Sequence, residues 1–289
     1  MAESDTTVIA GTQPVVKRKP MARRTKIVFY VVAWLIVLMP FLFWRSTWFG
    51  RQLSDREIAR YLRDDPKPRH IQHALVQVGE RMARGDKGVG QWYPELVRLA
   101  RHPVEEIRNT DAWVMGQDTS YASFRRTLLT MLDDVAPTVR ANAALSLVRF
   151  GDAAGRPQIV SMLQPLVVTA PAAGRLVAVA KTGDAANHGT LLAKLEEGSQ
   201  AHEVRAPITG RISSVQAQRG SQVAAGQQLL VIDPGTEQVW EALRALSVVG
   251  QPEDLAAVRP YKAASANRPK RIEEQAAATE RAILQRAAR

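Results

Sequence analysis

The chain has 289 residues, 46% of them hydrophobic, which leaves room for two modest folded units and a sizeable core. Lys and Arg number 39 against 28 Asp and Glu, a formal charge of +11, but no nucleic-acid motif or aromatic-basic stripe accompanies that charge, so no nucleic-acid partner is expected. The absence of cysteine excludes disulfides, thiolate metal sites and cysteine nucleophiles.

Residues 1–26 carry Lys17, Arg18, Lys19, Arg23, Arg24 and Lys26 and few bulky apolar side chains, which predicts a disordered basic tail. From Ile27 to Trp44 no charge occurs, and counting on to Phe49 gives the length that a hydrocarbon core of about 30 Å requires. A transmembrane helix over 27–49 is therefore expected. A cleaved signal peptide shares the basic flank and apolar run, but no Ala-x-Ala-like site follows. With the basic residues before the span, the charge rule puts the N-terminus in the cytoplasm and the body outside it, in the periplasm of a bacterium, on the inner membrane.

Over 54–166 apolar residues recur at three- and four-residue spacings in blocks broken by Gly, Pro and Asp, a helical pattern. Ser54 and Glu57 read as a capping box opening the first helix. The segment from His102, with Pro103, Glu106 and Arg108, matches the one from Val135, with Pro137, Thr138 and Arg140, and the two arginines lie 32 positions apart, the period of a two-helix repeat. Asp134, Pro137, Val139, Arg140, Ala143, Ala144, Gly151 and Asp152 together resemble a HEAT repeat of the short, phycobilisome-lyase-like kind. That resemblance implies a solenoid in which Pro137 opens the second helix, Asp134 and Arg140 form a structural pair at a turn, and Arg108 is a structural residue of the preceding repeat.

Within 167–235 the pattern changes to short alternating stretches bounded by Gly, Pro and Asp, which predicts strands. Ala170, Pro171 and Gly174 recur 36 positions on as Ala206, Pro207 and Gly210. Gly183 and Gly189 are matched by Gly220 and Gly226, and Leu191–Leu192 by Leu229–Leu230. Two copies of one half-motif, neither able to bury its apolar face alone, are expected to interlock as a small sandwich, with these prolines and glycines at its turns. The duplication resembles the biotinyl/lipoyl domain, a barrel-sandwich hybrid, whose carrier members hold their cofactor on a lysine at the tip of the hairpin between the halves. Aligned back from Ala206–Pro207, that place is held by Ser199, whose hydroxyl cannot form the amide, while Lys181 and Lys194 fall elsewhere. No biotin, lipoyl group or other cofactor is expected. Unmodified relatives include the periplasmic adaptor, or membrane fusion, proteins of the HlyD type, in which the halves flank a long helical hairpin that this chain lacks.

Residues 236–262 return to helical spacing, as repeat helices resumed after an interruption, and 263–289 read as a charged tail, a solvated helix or partly disordered. His70 and His73 share a helix spacing near Asp64 and Asp65, but a metal site there is not expected, and no nucleophile elbow, P-loop or dinucleotide fingerprint occurs. The expected fold is α+β, with a single transmembrane helix, a HEAT-like solenoid and an inserted all-β barrel-sandwich domain. The expected function is that of a non-enzymatic, membrane-anchored adaptor of the bacterial envelope, binding a transporter or another envelope complex, with an oligomer possible. The alternative is a structural or assembly scaffold with no transport role.

Overall fold

A computed structural model describes residues 23–47, 51–265 and 268–288. The chain divides into two units, residues 1–52 and 53–289.

In the first unit a helix, α1, runs over Arg23–Thr47. Phe29, Tyr30, Trp34, Ile36, Val37 and Met39 on it are all exposed. The expected transmembrane helix is corrected here: among the described residues, no helix is long and apolar enough to cross a membrane. Arg23 and Arg24 open the helix, Arg45, Ser46 and Thr47 close it, and Pro40 interrupts its backbone bonding. The charge-free residues 27–44 rise only about 27 Å as a helix, short of a core of about 30 Å. Residues 1–22, most of the expected basic tail, and Trp48 and Phe49, expected to complete the span, lie outside the described residues.

The second unit mixes helix and sheet. Ser54 caps its first helix, α2 (Asp55–Tyr61), accepting from the Glu57 amide while the Glu57 carboxylate accepts from the Ser54 amide. Then follow α3 (Pro68–Ala83), α4 (Tyr93–Leu99), α5 (Glu105–Met115), α6 (Ala122–Met131), α7 (Pro137–Arg149) and α8 (Arg156–Ser161). After the strands come α9 (Thr236–Val249), the short α10 (Leu255–Val258) and α11 (Lys270–Ala287). The odd-numbered helices pack side by side, α3 on α5, α5 on α7, α7 on α9 and α9 on α11. The even-numbered ones lie in a second row, α4 and α6 touching each other and α5, and α8 touching α7 and α9.

One apolar core fills the seam, from Leu53 through Phe124 and Leu147 to Leu243 and Ile283. Side chains of one helix also bond backbone carbonyls of the next: Ser146 Oγ donates to the Ala112 carbonyl at 2.8 Å, and Thr279 Oγ1 to the Leu243 carbonyl at 2.8 Å. The C-terminal segment, expected as a solvated tail, is drawn into this layer because Ile272, Ala276 and Ile283 form one apolar face that is buried on α9.

Between α8 and α9 lie eight strands: β1 (Leu166–Thr169), β2 (Gly174–Val179), β3 (Ala185–Ala186), β4 (Leu191–Glu197), β5 (Gln200–Arg205), β6 (Gly210–Val215), β7 (Gln222–Val223) and β8 (Gln228–Pro234). They form two antiparallel sheets, ordered β1-β8-β6-β3 and β5-β4-β2-β7, around a core of their own that includes Leu176, Leu195, Ile212 and Ile232. Each sheet takes strands from both copies of the motif: β2 pairs with β7, β3 with β6 and β1 with β8. The halves exchange the same bonds in both directions. The Gly183 amide donates to Ile212 at 2.8 Å and the Gly220 amide to Leu176 at 2.7 Å; likewise Gly189 donates to Ala206 and Gly226 to Ala170, each at 2.8 Å. Leu166 pairs with Ile232, so the two ends of the β unit leave it side by side.

Candidate functional site

In the β unit the turn residues have identifiable work. Gly183, Gly189, Gly220 and Gly226 have φ of 92°, 79°, 92° and 78°, the left-handed region that side chains with a Cβ rarely enter. Gly174 and Gly210 instead permit close backbone approach: a Cβ on Gly174 would lie 2.8 Å from the Glu196 carbonyl oxygen, and one on Gly210 would run into that of Asp233. Pro171 and Pro207 stand in the bends between β1 and β2 and between β5 and β6.

The β4–β5 hairpin joins the halves. Glu197 pairs with Gln200, leaving a two-residue tip, Gly198–Ser199, with Gly198 at φ 60°. A glycine of positive φ at the first tip position suits the inverted turns that match the twist of the flanking strands. Residues 196–201 are all exposed, so the tip projects into solvent. Ser199 offers a hydroxyl there, and no base reaches it among the described residues; the nearby His202 Nε2 lies 3.7 Å from a Glu197 oxygen. Of the two lysines, Lys194 is half-buried in β4 opposite Glu203, and Lys181 is held in the turn before β3, its amide donating to Asp184 Oδ2 at 2.8 Å.

The helical-repeat residues converge on one turn. Arg108 on α5 grips Asp134, Nε on Oδ2 at 2.7 Å and Nη2 on Oδ1 at 2.9 Å, and its Nη1 donates to the His102 carbonyl at 2.8 Å. Arg140 donates to the Asp134 and Val135 carbonyls at 2.6 and 3.0 Å, and Pro137 occupies the first turn of α7. Burial would raise the Asp134 carboxyl, but the hydrogen bonds from Arg108 and the Ala136 amide and the charges of Arg108 and Arg140 together outweigh it and hold it below the usual carboxylate range. These groups brace the backbone of the turn that leads into α7.

Two features escape the sequence patterns. Asp111 is fully buried on α5 with neither carboxylate oxygen hydrogen-bonded, and burial pushes its pKa well up. The 32-residue register pairs Asp111 with Ala143, so an acid where the next repeat has a methyl was the available signal. The second is a joint between the helices and the β strands: His188, in the turn after β3, meets Glu105 Oε1 at 3.1 Å, and Thr138 donates to the same oxygen at 2.6 Å. Beside it a cleft of about 430 Å³ runs between α7, α8, α9 and the β unit, lined by Arg140, Asn142, Gln158, Ile208 and Gln238 among others.

The histidine pair on α3 is engaged locally. His70 stacks on Tyr61 with centroids 4.1 Å apart and meets Asp64 Oδ2 at 2.7 Å, while His73 Nε2 lies 2.8 Å from Gln77 Nε2. No group of three His, Cys, Asp or Glu suited to a metal occurs among the described residues.

Residues 166–232 match a family model described as Biotin-requiring enzyme, so this segment is a biotinyl/lipoyl domain. The matched stretch is the eight-stranded unit, less than a quarter of the chain. No curated protein matches. Among solved structures, a single-chain, multi-domain long-chain acyl-CoA carboxylase is similar over 49% of this chain and 16% of its own length, with 21% identity and a TM-score of 0.24. The alignment thus spans about a sixth of that carboxylase.

Proposed function

We propose that the chain is a non-enzymatic adaptor, in which a biotinyl/lipoyl-like module has become a protein-binding element on a HEAT-like helical scaffold. The observation that carries this reading is the exposed Gly198–Ser199 tip: the place where the domain's carriers attach their cofactor presents a hydroxyl that cannot form the amide. The helical rows support it by offering an extended face of the kind solenoids use for partners. The partner in this proposal is a transporter or another complex of the bacterial envelope, as for HlyD-type adaptors. The exposed apolar side chains of α1, preceded by the basic cluster, support attachment to a membrane surface.

A second reading, a structural or assembly scaffold without a transport role, draws on the same hairpin. Two residues join the halves at their tip, where HlyD-type adaptors carry a long helical hairpin.

The test is purification of the intact protein from gently solubilised cells, with mass spectrometry of the chain and of everything that accompanies it. An unmodified chain with a transporter subunit supports the adaptor. An unmodified chain with other envelope proteins favours the scaffold. A biotin or lipoyl mass increment overturns both.

A further inference from the structure

Where α4 and α6 meet on the outer row, a groove of about 720 Å³ opens between the end of α4 and the side of α6. Three of its lining residues are arginines and one, Asp65, is an acid. Arg98 is occupied, reaching Asp65 at 3.2 Å and Glu95 at 2.9 Å. Arg101 and Arg126 are exposed, and no carboxylate lies within ion-pair distance of either among the described residues; the contact of Arg126 is with Ser123 Oγ at 2.9 Å. The groove therefore presents two cations that form no ion pair among the described residues.

Its floor adds a fixed donor. His102 is 6% exposed, and its Nδ1 accepts the Val104 amide at 3.1 Å, which places the proton of the neutral ring on Nε2. Burial keeps that imidazole below its usual pKa, so the neutral form holds at pH 7. The nearest acid to Nε2, Asp65, is 3.9 Å away, beyond hydrogen-bond reach. On the opposite wall, Thr127 and Thr130 donate their hydroxyl protons to the Ser123 and Thr127 carbonyls at 2.9 and 2.7 Å, which leaves their oxygens as acceptors. Pro94 and Val97 add apolar surface between these polar groups.

An inorganic anion uses donors alone. A polypeptide with acidic side chains uses cations for its carboxylates, an N–H donor for its carbonyls and hydroxyl oxygens for its amides. We infer that this groove binds an extended acidic segment of a partner protein, its carboxylates on Arg101 and Arg126 and its backbone between His102 and the two threonines. The inference rests on the adaptor reading in taking its ligand to be a protein.

The test uses the full chain and a fluorescent 12-residue peptide of Glu and Asp alternating with Leu, followed by anisotropy. Binding is expected to weaken at least tenfold in the double variant R101E/R126E, and about threefold in T127V/T130V. The β-unit double variant R175E/R219E, with the same change of net charge, is expected to bind like the wild type. All of these positions are exposed or half-buried, and thermal melting verifies that each variant folds. Equal loss in both charge-reversed variants, no binding to the wild type, or displacement by millimolar inorganic phosphate would overturn the inference. Co-purification with R101E/R126E separates the two readings: partners retained by a variant that has lost the peptide refute the groove and spare the adaptor. A wild type that binds the peptide but brings down no protein does the reverse.

Discussion

The helical array stacks its helices in rows and the β unit interleaves two copies of one motif, and the two bury their apolar faces in opposite ways. In the array each helix pair meets only its neighbours, through apolar seams and side chains such as Ser146 and Thr279 that bond the next helix's carbonyls. Damage to one seam should therefore stay near that seam. In the β unit neither copy has a sheet of its own, because β2 is completed by β7, β6 by β3 and β8 by β1. Damage to one copy removes the other's partner. Cooperativity here follows from which strands are shared, and has little to do with the length of the repeat.

Substitutions can break this contrast or sharpen it. The largest effect is expected from Arg108→Ala, which leaves Asp134, 11% exposed, without its bidentate partner. Breaking such a largely buried pair costs about 3–5 kcal/mol, read as a drop in the unfolding midpoint, with hydrogen exchange rising around α5 to α7 and not in the strands. The pH dependence has a definite sign. The Asp134 carboxyl is lowered in the folded state, so its contribution is present above the unfolded value of about 3.9 and is lost as pH falls through the folded value. The variant should lose that part of its acid sensitivity. Uniform loss of protection across the helices and the strands would refute nearest-neighbour behaviour.

Gly210→Ala comes next, at roughly 3 kcal/mol, because the new methyl meets the Asp233 carbonyl and Ile232 Cγ2, in a strand that cannot shift without leaving β3 and β8. Limited proteolysis should cut both copies of the motif together and leave the helices intact.

Asp111→Ala is expected to stabilise. A buried, unsatisfied polar group costs about 1–3 kcal/mol, and the register supplies Ala143 as precedent. Because the folded pKa of Asp111 is raised, the unfolded chain ionises first, so the wild type loses stability as pH rises from about 3.9 towards the folded value. The gain in the variant should grow as pH rises above about 3.9; a gain independent of pH would show that the Asp111 carboxyl is not raised by its burial. The smallest effect is His188→Ala, below about 1 kcal/mol, since both partners of the Glu105 joint are roughly one-third exposed.

The β motif was legible because its signals are backbone signals: Gly183, Gly189, Gly220 and Gly226 have positive φ, and their recurrence at 37 positions exposes them without knowledge of what they pack against. Arg108 and Arg140 were legible because they recur 32 positions apart, whereas the grip of Arg108 on the Asp134 carboxylate spans 26 positions and shows only in the fold. The expected membrane span failed on length and polarity at its ends, where Arg45, Ser46 and Thr47 are part of the same helix as the apolar run. The groove at Arg101 and Arg126 and the joint at His188 were not legible, because each depends on which residues a fold brings together across 25 positions or more. The burial of Ile272, Ala276 and Ile283 was hidden by the charges between them.

The ends of the β unit have one more consequence. Met162 and Gln238 are 76 positions apart, yet the Gln238 amide reaches the Met162 carbonyl at 3.0 Å. For an unfolded chain, α8 and α9 are the ends of a loop of nearly that length. Once β1 has paired with β8, the effective loop shrinks to a handful of residues. With closure entropy growing as the logarithm of loop length, that difference is about 2–3 kcal/mol. The domain that interrupts the array would thus act as its clamp, favouring the docking of the last helices once the strands have paired.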